Sequence, residues 1–198
     1  MEQEEVQARV AGRDFEREML GKEGFLDDLG PLSVPDYLDF DSSLNQVVES
    51  NWAKFAHSLE KGEVYCHNPA SPRMGKTHSL WAAVKNWLPG AVNGESHLPL
   101  NLYISVGRNA LDYWHGVDVF FWWQGEYVTI DFATHDKRKK GTLKADFVFT
   151  PRDLEHSRLL YFGKQVAKLL LERKTHSKEL EIKAFKKSLT EGLNAGLR

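Results

Sequence analysis

Two apolar runs, VDVFFWW (117–123) and YVTIDFAT (127–134), separated by a short polar turn, constrain this chain more than any other feature. Aromatic and β-branched residues on either side of Gln124-Gly125-Glu126 read as a β-hairpin. A hairpin brings Asp118 and Asp131 onto neighbouring strands. An aspartate inside an apolar strand costs free energy unless a partner or an ion compensates it, and two such carboxylates side by side suit a hard divalent cation. The alternative is structural: each aspartate sits at an exposed strand end, bonded to backbone or to a basic side chain, and protects an edge.

The remaining pattern adds helices and strands around this hairpin. Leu44, Val47, Val48, Trp52, Phe55, Ala56 and Leu59 share one helical face, behind a cap at Asp41, Ser42 or Ser43 and ahead of Gly62. Thr77 caps a second helix bearing Leu80, Trp81, Val84, Trp87 and Leu88, stopped by Pro89-Gly90. Strands are expected at 63–66, 102–106 and 144–150, a helical turn at 108–114, a long helix from Pro151 to about Lys174, and a charged helix near 178–194. Val6, Val10, Phe15 and Leu20 form a thin stripe that predicts a surface or partner-docking helix. The fold class is α/β, a mixed sheet of about four to five strands flanked by helices. Residues 1–40 read as an acidic arm, helix and linker, and 41–198 as a single α/β domain with C-terminal helices.

Charge divides unevenly along the chain. Residues 1–41 hold 12 Asp/Glu against 4 Lys/Arg, a net −8; the rest hold 16 against 22, a net +6. An acidic arm fits a protein partner, and a basic body fits a polyanion such as DNA or RNA. No apolar run reaches the length of a membrane span and the first thirty residues lack a signal-peptide core, so the expectation is a cytoplasmic protein without a membrane partner. Cys66 is the single cysteine, which excludes an internal disulfide and a cysteine-built zinc site. The eight histidines show no HxxxH or HExxH spacing, although His115 and His135 flank the hairpin.

With the helix over 43–60, the hairpin and its two aspartates, the order of elements resembles the PD-(D/E)XK nuclease superfamily. The resemblance spans roughly 43–172 and implies a restriction-endonuclease-like fold, with Glu49 as the helix acid and Asp118 and Asp131 as strand acids holding Mg²⁺ or Mn²⁺. It implies hydrolysis of nucleic-acid phosphodiester bonds. Ala133 stands where the family has its lysine, so Lys137 or Lys144 would supply the ammonium. The basic loop replaces the helix expected between the third and fourth strands, and Lys137, Arg138, Lys139, Lys140 and Lys144 would contact phosphates. A degenerate site on the same fold implies instead a protein that binds or inhibits without cutting.

A third reading comes from Ala70-Ser-Pro-Arg-Met-Gly75-Lys76-Thr77, which matches the looser phosphate-loop pattern ahead of a helix and would make the chain a nucleotide-binding protein. The short apolar run before it and its one glycine count against that reading.

Overall fold

A computed structural model describes residues 14–21, 34–63, 67–73, 75–89, 99–106, 109–134 and 144–195, with side chains to 188. Among these residues four strands form one mixed sheet: β1 (Asn101–Ile104), β2 (Val119–Trp123), β3 (Glu126–Phe132) and β4 (Phe147–Phe149), in that spatial order. β1, β2 and β3 are an antiparallel meander; β4 lies parallel to β3. The β2–β3 turn has two residues, since Trp123 pairs with Glu126, and both turn residues take positive φ, Gln124 at 52° and Gly125 at 88°. Two left-handed residues give the turn the twist that antiparallel strands need.

Strand alternation sorts the side chains into two cores. Leu102, Val119, Phe121, Trp123, Val128, Ile130 and Phe132 meet Leu80, Trp81 and Val84 of α3 (Thr77–Lys85) and Phe162, Val166 and Leu170 of α5 (His156–Ala195). On the other face Tyr103 and Phe120 meet Leu44 and Val47 of α2 (Phe40–Glu60) and Leu111 of α4 (Ala110–His115). The sheet is thus sandwiched between helices. Among the described residues no helix is long and apolar enough to cross a membrane.

Several expectations are revised. The helix at 14–20 (α1) is not a surface element: Phe15, Met19 and Leu20 are buried in the larger core, with Phe15 stacked 6.3 Å from Phe149. A short apolar stripe on one helix suffices when the body offers a matching hollow. Helix α2 starts before Asp41, because the Asp39 carboxylate accepts the Ser42 amide at 2.9 Å and its hydroxyl at 2.7 Å. Thr77 is the first residue of α3 and not its cap. The two helices expected after Pro151 are one: a 3₁₀ turn over Pro151–Leu154, boxed by Thr150 and Asp153, leads into a continuous α5. Nothing in Lys174-Thr-His-Ser177 stops a helix, since it contains neither glycine nor proline. The strand expected at 63–66 falls largely on residues outside those described.

The outer edge of β1 is covered. Asn51 of α2 donates to Ile104 O at 2.9 Å and accepts Ile104 N–H at 3.0 Å, while Leu102 gives its amide to Pro69 O and its carbonyl to His67 Nε2. Every outward backbone group at those two residues is paired, which closes a sheet edge to other chains.

Candidate functional site

Asp118 lies immediately before β2 and beside β3, near enough to Asp131 for that charge to act on it. Its position is fixed by backbone on three sides. Its amide donates to Ile130 O at 3.0 Å, its carbonyl accepts the amides of Ser105 and Val106, and its Oδ2 accepts Phe132 N–H at 2.5 Å. Asp118 is only 5 % exposed. Burial raises its pKa well above the ordinary carboxylate range, and the charges of Asp112, Asp131 and Glu16 push the same way against the Phe132 amide.

Asp112 and Glu16 are the acids that sequence pattern missed. Asp112 is in the first turn of α4, its amide capped by Asn109, and left-handed Gly116 turns the chain from that helix back to Asp118. Glu16 arrives from α1. The glycine after a short helix was a visible signal of a reversal; the direction of α1 had none.

Glu49, the helix acid implied by resemblance, stands on the exposed side of α2, whose inward residues are Ser43, Leu44, Val47 and Asn51. Ala133 is buried and its amide donates to Phe149 O at 3.0 Å, continuing the β3–β4 ladder. Lys144 donates to the Trp114 carbonyl at 2.5 Å, at the C-terminal end of α4. Lys137, Arg138, Lys139 and Lys140 lie outside the described residues, as does His135. His115 is held by Leu38 O at 2.9 Å and packs edge-on against Phe40.

No family model, curated protein or solved structure matches the chain. The site's own chemistry carries the argument. The two hairpin carboxylates supply hard oxygen donors, and a cation would relieve their mutual repulsion. Among the described residues no group of three or more His, Cys, Asp or Glu side chains is gathered around one point in a way that would hold an ion.

The phosphate-loop residues are engaged elsewhere. Lys76 N–H donates to Met19 O at 2.8 Å, and the Lys76 ammonium pairs with Glu18. A Cβ on Gly75 would come within 2.3 Å of Met19 O, so the loop is fitted to the end of α1. The hairpin tryptophans divide as alternation requires, with Trp123 in the core and Trp122 half-buried beside Tyr127.

Proposed function

We propose that this chain is a metal-dependent, nuclease-like protein that hydrolyses phosphodiester bonds of DNA or RNA. One observation carries the reading: Asp118, buried at the start of β2, and Asp131 on neighbouring β3 lie close enough for the Asp131 charge to act on Asp118. The antiparallel meander β1–β3 that carries them is also the arrangement expected of a restriction-endonuclease-like fold.

Mg²⁺ or Mn²⁺ held by the two carboxylates would supply a Lewis acid that lowers the pKa of a bound water and polarises the phosphate. The chain's own contributions are positional and electrostatic. Backbone groups of Ile130, Ser105, Val106 and Phe132 hold Asp118 in place without any side-chain partner having to move. Because burial favours the protonated form of Asp118, a cation held there would have to displace that proton, and its affinity would rise with pH. Lys144, and Lys137 with its basic neighbours, would compensate the charge of the scissile strand.

The test is cleavage of labelled single- and double-stranded DNA and RNA by the purified chain with Mg²⁺ or Mn²⁺, alongside Asp118→Asn and Asp131→Asn. Metal-dependent cleavage that disappears in both variants is expected; cleavage that persists in both ends the proposal. A second reading, a nuclease-like fold that binds nucleic acid without cutting it, is favoured by the burial of Ala133 at the lysine position. Salt-dependent binding with no cleavage under any divalent ion would select it.

A further inference from the structure

Two stretches far apart in sequence are fastened together at the surface. The indole N–H of Trp114 donates to Pro35 O at 3.0 Å and His115 Nε2 is bonded to Leu38 O at 2.9 Å, so residues 35–38 are pinned along α4. This scaffold holds a cluster of rings outside both cores. Tyr37 and Tyr113 each meet Trp114 with planes crossed at 76°, their centroids 5.8 and 5.0 Å from the indole. Both tyrosines are open to solvent, Tyr37 at 67 % and Tyr113 at 54 %. A single exposed aromatic is ordinary, whereas two held on one indole by a hydrogen-bonded scaffold form a contact patch.

The charges carried by these two stretches are of one sign. Residues 34–43 and 109–116 hold Asp36, Asp39, Asp41 and Asp112 and no lysine or arginine. Asp36 and Asp39 lie within two residues of Tyr37 and both are exposed. Asp39 stays ionised, since the Ser42 amide and hydroxyl that it accepts lower its pKa. Lys144 adds one positive charge against these four, and its ammonium is bonded to the Trp114 carbonyl. The face of a tyrosine ring attracts a cation, and carboxylates beside it add to that attraction while they repel phosphate. Arginine suits such a surface best, because its flat guanidinium stacks on a ring and forks to a carboxylate.

We propose that the surface formed by Tyr37, Tyr113 and Trp114 with Asp36 and Asp39 binds an arginine-rich segment of a partner protein, a guanidinium lying against the ring of each tyrosine. The carboxylates draw the segment in and the two rings fix where it sits. Because the scaffold is already hydrogen-bonded, little ordering of this chain is needed on binding. The interaction is independent of the nuclease reading.

Fluorescence anisotropy of a labelled nona-arginine peptide with the full chain is expected to show saturable binding that weakens with salt. Tyr37→Ala with Tyr113→Ala should raise the dissociation constant about tenfold, with an unchanged circular dichroism spectrum. Tyr37→Phe with Tyr113→Phe keeps both rings and should bind as wild type does, whereas Asp36→Lys should weaken binding. Glu2→Gln with Glu4→Gln and Glu5→Gln, which discharges part of the acidic arm, should leave the affinity unchanged. No saturable binding overturns the proposal, as does binding untouched by the alanine pair, lost equally in the phenylalanine pair, or removed by the glutamine changes. A labelled oligothymidylate that binds wild type and is lost with the alanine pair would make the surface a stacking platform for nucleic acid, and that result also overturns it.

Discussion

Asp118 Oδ2 accepts the Phe132 amide at 2.5 Å, so a carboxylate stands where the strand ladder would otherwise offer a backbone carbonyl. The same oxygen makes Asp118 a structural acceptor and one half of the proposed metal site. Those two roles conflict when the group is ionised and no cation is bound, because the charge is buried beside three other carboxylates.

That conflict sets the effect of Asp118→Asn on stability. A buried acid with a raised pKa is most favourable to folding when protonated, and stability is lost as pH rises from the ordinary carboxylate value through the raised one. Asparagine keeps an oxygen for the Phe132 amide and carries no charge. The variant should be more stable than wild type by about 0.5–2 kcal/mol at pH 7 to 8. Thermal melts from pH 4 to 8 should show this gap closing toward acid, and Mg²⁺ should raise the midpoint of wild type only. A variant less stable than wild type at pH 8 without metal would show that the carboxylate is compensated.

His67 acts in the opposite direction. Burial pushes its pKa down to about 4, only partly offset by the bond to Leu102 O, and its buried Nδ1 has no hydrogen-bond partner among the described residues. Stability is fully present above about pH 6.5 and falls as the pH drops toward the depressed value, by on the order of 3 kcal/mol in total. Denaturant titrations of His67→Gln should lack this acid-side loss. An identical pH profile in wild type and variant would remove His67 as its source.

Arg173 clamps the start of β4 to the helix behind it. Its two terminal nitrogens reach the two oxygens of Asp146 at 2.6 and 3.0 Å, and Asp146 in turn takes the amide and hydroxyl of Thr129. Arg173→Ala should cost about 1.5–3 kcal/mol in urea denaturation. Arg173→Lys should recover little, since an ammonium cannot form the paired contact. Full recovery by lysine would show that charge alone matters.

Gly163 lets α5 approach α3. A Cβ there would lie 2.5 Å from the Ala83 carbonyl carbon and 2.8 Å from its Cβ. Gly163→Ala should therefore destabilise by about 1–3 kcal/mol despite its better helix propensity. A stability gain, read as a higher denaturation midpoint, would mean that the helices part without penalty.

What the sequence determined by itself was local. The hairpin, the existence of α2 with Leu44 and Val47 inward, the core residues Leu80, Trp81 and Val84 of α3 and the stop at Gly62 were legible because periodicity and turn chemistry depend on neighbours within a few residues, whereas Trp52 and Leu59 of the expected α2 face are exposed. The placing of Asp131 on the strand next to β2 followed from the same short turn, which fixes register. Tertiary structure alone decided that α1 belongs to the core, that Glu49 faces outward, and that Asp112 and Glu16 bring their charges to bear on Asp118. It also decided that Asn51 and His67 close the edge of β1. Such facts depend on contacts between residues tens of positions apart, and neither the strength of a buried charge nor the direction of a helix face is written in the spacing of one segment.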